Sequence, residues 1–243
     1  MKVVRKNLIR EGKAKILYET DRAGFIIQHF KDDATAFNAQ KKGQIRNKGI
    51  LNNAVSALLF RHLEKHGVRS HFVESTSERE MLTRLLKMIP VEFVVRNRAT
   101  GSIVDRLGIE RGRSFNPPLV EYFLKSDDLG DPLVGETHIA YFRWATSKQL
   151  EFAREQSLRV NELLRPIYDQ IGLELIDFKL EFGVGERGEI LLADELTPDG
   201  CRLWDKETGE PMDKDRFRHD LGGVEDAYLQ VFHRLETFFK KAL

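Results

Sequence analysis

The segment LELIDFKLEFGV (residues 173–184) and the segment ILLADE (190–195) after it decide the fold of this chain. Side chains alternate between the two faces of a strand, so Asp177, Lys179 and Glu181 share one face and apolar residues occupy the other. The intervening GERGE carries two glycines, which predicts a hairpin turn. We therefore predict a buried antiparallel hairpin that brings Glu181 and Asp194 together at its end, in a register that the spacing leaves open.

The rest of the chain divides into a strand-rich first part and a mixed second part. Periodicity predicts strands over 15–19, 24–30, 69–74, 81–89, 91–96 and 119–125, and helices over 50–66, 100–107, 147–170, from about 213, and over 224–241. Ser147 is the expected N-cap of the long helix, and Pro90 is the expected interruption between two strands. Strands and helices occur in blocks without βαβ alternation. We predict an α+β class with mostly antiparallel sheets, in two lobes over residues 1–90 and 91–243.

Composition excludes several classes of protein. The 243 residues include 39 basic and 38 acidic side chains, a net charge of +1, whereas proteins that coat nucleic acid or anionic membranes carry a strong basic excess. No run of about 18 apolar residues occurs, so no transmembrane helix is expected. Residues 1–15 lack the apolar core of a secretory signal, and the single Cys201 excludes an internal disulfide. We expect a cytoplasmic protein with neither nucleic acid nor membrane as a partner.

Three further segments carry residues suited to binding phosphate and carboxylate groups. GKAK (12–15) places Lys13 and Lys15 on one face of a strand. VVRNRATGS (94–102) puts two arginines before a helix N-terminus, and guanidinium groups bind oxyanions bidentately. TPDGCRLWD (197–205) is a turn-rich loop directly after the hairpin carboxylates, which are themselves typical Mg²⁺ ligands. Taken alone, the two lysines are more simply surface residues, surface ion pairs explain the arginines and the hairpin carboxylates equally well, and the loop indicates little.

Taken together and in this order, these segments resemble the SAICAR synthetase (phosphoribosylaminoimidazole-succinocarboxamide synthase) family. The matching stretches are GKAKILYE, KDDATAFN, KGILNN, PVEFVVRNRATGS, NPPLVEYFLK, LIDFKLEFGV, ADELTPDGCRLWD and DKDRFRHDLGG, which span almost the whole chain. The resemblance implies a two-lobed fold, broadly like a kinase or an ATP-grasp enzyme, with ATP in the cleft between the lobes. It also implies an ATP- and Mg²⁺-dependent ligase of de novo purine biosynthesis. Such a ligase condenses carboxyaminoimidazole ribotide (CAIR) with L-aspartate to SAICAR, ADP and phosphate through an acyl phosphate.

The resemblance also implies roles for individual residues. The expected nucleotide-binding residues are Lys13, Ala14, Lys15, Lys125, Glu181 and Asp194, and the expected Mg²⁺ ligands are Glu181, Asp194 and Asp177. The expected ribotide-binding residues are Arg96, Ser102 and Arg202. The expected catalytic residues are Lys179, Asp177 and Arg202, of which the first two line the ribotide carboxylate site. The candidates for binding L-aspartate are Arg98, Asp199 and Lys206. Many family members have glycine where this chain has Ala39, which leaves the roles of Asp33 and Asn38 open.

Two other classes of function use similar residues. A kinase-like phosphotransferase acting on a small phosphorylated metabolite needs the same ATP, Mg²⁺ and basic groups, although this chain lacks the HRDxxxxN and DFG motifs of protein kinases. A nucleotide-sensing protein binds ATP without turning it over. We also expect a homodimer or a higher homo-oligomer; the apolar faces over 147–170 and 224–243 either form that interface or belong to the core.

Overall fold

Two antiparallel sheets hold most of the strands in the computed structural model, which describes residues 3–36 and 40–241. The strands are β1 (Arg5–Glu11), β2 (Lys15–Thr20), β3 (Phe25–Phe30), β4 (Asp33–Ala36), β5 (Lys41–Gln44), β6 (Phe72–Ser75), β7 (Glu80–Arg84), β8 (Lys87–Arg98), β9 (Ser114–Leu124), β10 (Leu133–Val134), β11 (Leu173–Val184), β12 (Ile190–Ala193) and β13 (Cys201–Asp205). The helices are α1 (Lys48–Lys65), α2 (Ser102–Leu107), α3 (Glu136–Tyr141), α4 (Ser147–Gln170), α5 (Asp215–Arg218) and α6 (Val224–Lys241). The predictions for Asn38 and Ala39 lie outside the described residues.

The first sheet has five strands in the order β1-β2-β3-β7-β6, and the second has the order β10-β9-β8-β11-β12, with β13 also paired to β11. The pairings along both sheets are antiparallel, and the predicted α+β class is confirmed. The predicted hairpin is β11–β12, in which Glu181 pairs with Ala193. Along β11, β12 pairs with the second half and β13 with the first half, so residues 194–200 connect the two beside Lys179. Within the described residues, the helices are too short or too polar to cross a membrane.

The predicted interruption at Pro90 is wrong, because β8 runs unbroken through this residue between β9 and β11. The pairing shifts there: Glu92 lies opposite Glu181, whereas Met88 lies opposite Gly183, so β8 contains extra residues. Proline lacks the N–H group that a central strand needs, and it is tolerated where such a bulge disrupts the ladder. In chain order, β7 is the last strand of the first sheet, and it ends at Arg84. The division into lobes at residues 90 and 91 stays a prediction.

The long helix α4 covers the predicted residues 147–170, but its N-cap lies one residue earlier than expected. Its N-cap is Thr146 and not Ser147, because the Thr146 hydroxyl accepts a hydrogen bond from the Gln149 N–H at 3.2 Å. The Gln149 side chain accepts one in return from the Thr146 N–H at 2.8 Å. This reciprocal arrangement is a capping box, which satisfies backbone donors that the first helical turn leaves unpaired.

A short segment around His71 joins the two sheets. The His71 N–H donates to the Leu192 carbonyl of β12 at 2.8 Å, and the His71 carbonyl accepts from the Arg84 N–H of β7 at 2.8 Å. Ser70 forms an isolated parallel bridge with Leu192. One residue thus bonds to both sheets, which fixes the edge of the first sheet against the hairpin of the second.

Helix α4 packs on the second sheet through apolar residues and one buried amide pair. Asn97 of β8 and Asn161 of α4 exchange two side-chain hydrogen bonds at 2.8 and 2.9 Å, and Asn97 also donates to the Leu175 carbonyl at 3.0 Å. Both side chains are buried. Buried amides contribute to stability only while they are paired.

We expect Asn161→Ala to lower the free energy of unfolding by about 2 kcal/mol, because it removes one partner and leaves the Asn97 amide oxygen buried without a donor. Urea denaturation at pH 7 measures the change. Asn7→Ala is the control, at an exposed asparagine whose side chain donates to Glu19, and it is expected within about 0.5 kcal/mol of the parent protein. Equal losses in the two variants would contradict the importance of the buried pair.

Candidate active site

A cavity of about 1100 Å³ is lined by residues of both sheets. The predicted site residues that line it are Lys13, Ala14, Lys15, Arg96, Lys125, Asp177, Lys179, Glu181, Asp194, Asp199 and Arg202. The predicted residues that are not part of its lining are Arg98, Ser102 and Lys206. The structure therefore brings together residues from segments that are up to about 190 positions apart in the chain.

Lysines surround the carboxylates at the end of the β11–β12 hairpin. Lys15 pairs with Asp194 and lies 3.8 Å from Glu195, and Lys125 pairs with Glu181. Burial lowers the pKa of Lys15, but these acidic neighbours outweigh it and hold the pKa above its usual value. Burial likewise raises the pKa of Asp194, but the surrounding lysines outweigh it and keep that pKa well below its usual range. Both groups are therefore charged near neutral pH.

Lys179 crosses between two carboxylates of neighbouring strands. Its amino group lies 2.7 Å from Glu92 Oε1 on β8 and 3.1 Å from Glu181 Oε1 on its own strand. Burial lowers its pKa, whereas Glu181 and Glu92 raise it, and the net pKa lies well above the usual value. Lys179 is consequently a permanent cation, suited to stabilise negative charge rather than to act as a base.

The backbone at Asp194 has an unusual conformation. Its φ angle is +61°, in the left-handed region that non-glycine residues rarely adopt. Strain of this kind persists where the surrounding structure enforces it, often at functional sites. Here the turn directs Asp194 toward Lys15, beside Glu181.

The hairpin carboxylates fit a divalent cation of the Mg²⁺ type. Mg²⁺ in nucleotide sites usually takes one or two protein carboxylates and completes its shell with water and phosphate oxygens. Glu181 and Asp194 supply such oxygens, and Glu195 Oε2 next to them is buried without a hydrogen-bond partner among residues 3–36 and 40–241. In the described part of the chain, no group of three acidic, histidine or cysteine side chains is placed to hold a metal ion alone. A metal here would therefore depend on phosphate oxygens as well.

The other end of the cavity contains a buried network of arginines and aspartates. Asp177 accepts hydrogen bonds from Arg96 Nη1 at 2.7 Å and from Arg202 Nη1 at 2.9 Å, and Arg202 Nε donates to Asp215 at 2.9 Å. Arg96 also donates to Glu121 at 2.5 Å. Burial lowers the pKa of Arg202, but Asp177 and Asp215 raise it by more, so the net pKa lies above the usual value and the guanidinium stays charged.

Gly101 leaves the space that the Arg202 guanidinium occupies. Gly101 precedes α2 with a φ of +63°, and a Cβ atom at this position would lie 2.7 Å from Arg202 Nη2. Any larger residue would be strained and would push the guanidinium away. Ser102, the next residue, accepts a hydrogen bond from Arg106 at 2.6 Å.

Arg98 and Lys206 are bound elsewhere. Arg98 donates to Glu174 at 2.7 Å and to the Gly112 carbonyl at 2.9 Å, and Lys206 pairs with the exposed Asp169 at 2.5 Å. Asp33 pairs with Lys31 at 2.6 Å on the β4–β5 hairpin. The structure does not bring the first two to the cavity, so their expected contact with L-aspartate gains no support from the geometry.

Sequence reasoning missed several residues around the cavity. Lys48, Asn52 and Tyr228 all bind the carboxylate of Asp199. Lys214 lines the same cavity, and its pKa is lowered by burial and by the neighbouring cations. Polar residues at four-residue spacing in the KGILNNAVS stretch of α1 were an available signal, since a helix buried on that side is normally apolar.

His71 is a buried histidine in the wall of the cavity, and it lowers stability in acid. Burial and the Lys15 cation lower its pKa to about 3, from an ordinary value of about 6.5. Between these two pH values His71 binds a proton in the unfolded chain but stays neutral in the folded protein. Stability therefore falls as the pH drops through this window and is fully retained above it.

We expect His71→Gln to remove this contribution. The free energy of unfolding of the parent protein should fall by about 2 kcal/mol more between pH 7 and pH 5 than that of the variant. Urea denaturation at the two pH values measures the difference, and the same substitution at the exposed His233 serves as the control. Equal losses in the parent protein and His71→Gln would contradict the assignment.

The chain is similar to known proteins over nearly its whole length. The SAICAR synthetase family model matches residues 8–235. A phosphoribosylaminoimidazole-succinocarboxamide synthase of Chlorobium phaeobacteroides is 54% identical over 94% of this chain and 96% of its own length. The crystal structure of the synthase from Ehrlichia chaffeensis superimposes with a TM-score of 0.92 at 44% identity, covering 95% of this chain and 98% of that one. A SAICAR synthetase in complex with ADP gives a TM-score of 0.91 at 39% identity, covering 94% and 97%. The chain therefore belongs to the SAICAR synthetase family.

Proposed function

We propose that this protein condenses the carboxylate of CAIR with the amino group of L-aspartate, using ATP, to form SAICAR, ADP and phosphate. The observation that carries the proposal is the cavity itself. One end gathers Lys15, Lys125 and Lys179 around Glu181 and Asp194, and the other end holds the arginine network. The reaction has a nucleoside triphosphate, ATP, and a phosphorylated second substrate, CAIR, and these two need two such separate anion sites.

The chemistry requires activation of the carboxylate, since a carboxylate is a poor electrophile. One carboxylate oxygen of the ribotide attacks the γ-phosphorus of ATP, and the bond to the β-phosphate oxygen breaks to release ADP. The amine of aspartate then attacks the acyl phosphate carbon, phosphate leaves with the oxygen it gained, and the nitrogen loses a proton. Both steps depend on positioning and on neutralising charge rather than on a protein nucleophile.

The nucleotide end of the cavity suits the triphosphate. Lys13, Lys15 and Lys125 are cations that line it, and we assign them to the ATP phosphates. Glu181 and Asp194 would hold Mg²⁺, which when bound supplies positive charge to the phosphate oxygens. Lys179 is half-buried, and its pKa lies well above the usual value, so it is charged and stabilises the charge that develops where the ribotide carboxylate meets the γ-phosphate.

The ribotide end suits a phosphate and a carboxylate. Arg202 faces the cavity and is fixed by two aspartates, so we assign it to the ribotide phosphate. Arg96 is nearly buried and acts mainly by orienting Asp177. Ser102 is kept as a candidate ligand of the ribotide, because it directly follows Gly101, and Gly101 packs against the Arg202 guanidinium.

Two further proposals concern the setting of the enzyme. We place it in the cytoplasm, where a small-molecule ligase of purine biosynthesis finds its nucleotide substrates, and we expect it to self-associate as a homodimer or a higher oligomer. Size-exclusion chromatography with light scattering tests the second statement, since a monomer over the working concentration range would exclude it.

The reaction is tested by the dependence of ADP release on each substrate. We expect ADP and SAICAR to form together only when CAIR and L-aspartate are both present. ADP release with CAIR alone and no amide product would favour the kinase-like phosphotransferase. ATP binding without any turnover would favour the nucleotide-sensing protein.

A further inference from the structure

The buried face of α1 carries polar side chains at four-residue spacing. Lys48, Asn52 and Ser56 are 0%, 1% and 0% exposed. Residues four apart lie above one another on a helix, so these three form one line, which we call the polar stripe. Burying a polar group is unfavourable unless it is hydrogen-bonded, so the partners of the polar stripe show what it is for.

Two residues of the polar stripe, Lys48 and Asn52, bind Asp199 in the loop between β12 and β13. Lys48 Nζ donates to Asp199 Oδ2 at 2.6 Å, and Asn52 Nδ2 donates to the same oxygen at 3.2 Å. The Tyr228 hydroxyl of α6 donates to Asp199 Oδ1 at 2.6 Å. Both carboxylate oxygens are thus engaged from the protein interior, although Asp199 lines the cavity.

The third member of the polar stripe binds the start of the same loop. Ser56 Oγ accepts a hydrogen bond from the Leu196 N–H at 2.8 Å and donates to the Leu196 carbonyl at 3.3 Å. Helix α1 and Tyr228 therefore fix both ends of the segment 196–199. This anchoring uses buried side chains, so solvent does not compete with it.

The anchored segment links the two ends of the cavity. Asp194 lies two residues before it and Arg202 three residues after it, and the Gly200 carbonyl accepts from the Lys179 N–H at 2.9 Å. A shift of the segment would move the metal-binding carboxylate, the phosphate-binding arginine and the cationic Lys179 relative to one another. Misplacement of reacting groups by about 1 Å costs roughly a hundredfold in rate.

We infer that the polar stripe and Tyr228 are positioning residues, which hold Asp199 so that Asp194 and Arg202 keep the separation that phosphoryl transfer needs. This assigns Asp199 to anchoring rather than to binding L-aspartate. The consequence for turnover rests on the proposed function, whereas the anchoring itself does not.

Cys201 provides a readout of the anchoring that is independent of activity. It is the only cysteine in the chain, it is buried, and it lies two residues after Asp199. Cys201 is the first residue of β13 and lies in the cavity wall only 3% exposed, so its labelling by a thiol reagent such as DTNB in the native protein requires local opening of β13 and of the anchored segment before it. The rate of labelling therefore reports how firmly the segment is held.

The test compares Tyr228→Phe and Ser56→Ala with Ser157→Ala. Ser157 is the matched control, because it is equally buried in a helix but its hydroxyl donates to the Ala153 carbonyl of its own helix, at 2.7 Å. We expect Tyr228→Phe to speed Cys201 labelling and to lower kcat, each by about tenfold. Its Kd for ADP should stay within about twofold of the parent value, so that the loss is in kcat and not in nucleotide binding. Ser56→Ala should change in the same direction by a smaller factor.

Two results would overturn the inference. One is labelling and kcat in Tyr228→Phe and Ser56→Ala that match those of Ser157→Ala. The other is faster labelling with an unchanged kcat, which would show anchoring without any role in catalysis. If the parent protein formed no SAICAR at all, the proposed function would fail, and the labelling rates would still decide whether the polar stripe anchors the segment.

Discussion

Asp194→Asn is expected to lower kcat by at least about a hundredfold and to weaken Mg²⁺-dependent ATP binding, while the protein stays folded. Asparagine keeps the size of aspartate and tolerates the left-handed backbone at φ +61°, but it removes the negative charge that a divalent cation needs. Lys15 would still have Glu195 Oε1 at 3.8 Å as a partner, so the substitution does not leave an isolated buried cation.

Steady-state kinetics and isothermal titration with ATP analogue and Mg²⁺ measure both effects. Asp169→Asn is the matched control. Like Asp194, Asp169 pairs with a lysine (Lys206, at 2.5 Å), but it is exposed on the surface. We expect it to behave like the parent protein. Turnover by Asp194→Asn within a few-fold of the control would show that the metal assignment is wrong.

Arg202→Ala is expected to raise the Michaelis constant for CAIR by about a hundredfold, with that for ATP changed by no more than about threefold, because truncating one member of a buried charged pair costs several kcal/mol. The network around Arg202 survives the change: Asp177 keeps Arg96 at 2.7 Å, and Asp215 keeps Arg218 at 2.5 Å. The loss therefore falls on the bound ligand rather than on the fold.

Arg98→Ala provides the comparison. Arg98 lies two positions from Arg96 on the same strand, but it pairs with Glu174 and is not part of the cavity lining. Its substitution should leave the Michaelis constant for CAIR within about threefold of the parent value. If Arg202→Ala affected only ATP, or if both variants weakened CAIR equally, Arg202 would not be the phosphate ligand.

The alternation in β11, together with the glycine-rich turn that follows it, was sufficient to predict the hairpin. Each side chain position in a strand is fixed relative to its neighbours, so the apolar face and the charged face follow directly from the sequence. β1 was missed for the opposite reason. Its residues are exposed along the whole strand, so no apolar alternation marks it, and its pairing with β2 defines it.

The outcome at Arg98 shows where strand periodicity fails. Arg96 and Arg98 have the same parity and were both expected to bind substrate, Arg96 the ribotide and Arg98 L-aspartate, but the pairing of β8 with β9 shifts between them. Such an irregularity turns the strand and redirects the following side chains. A sequence does not reveal a bulge of this kind, because it depends on the partner strand.

The polar stripe shows a similar limit for helices. Lys48 lies two residues before the predicted helix over 50–66 and is most simply interpreted as a solvated residue, since lysine is almost never fully buried without a partner. That partner, Asp199, lies about 150 residues further along the chain. Helix periodicity therefore predicted α1 but not which of its polar residues enter the interior.

The central claim, that ATP activates the ribotide carboxylate in this cavity, is tested most directly by isotope transfer. CAIR labelled with ¹⁸O in its carboxylate would be turned over with ATP and L-aspartate, and the released phosphate analysed by mass spectrometry. An acyl phosphate transfers one carboxylate oxygen to each phosphate formed, so we predict one ¹⁸O per phosphate from fully labelled CAIR. Phosphate free of ¹⁸O, with SAICAR formed at the normal rate, would contradict the account.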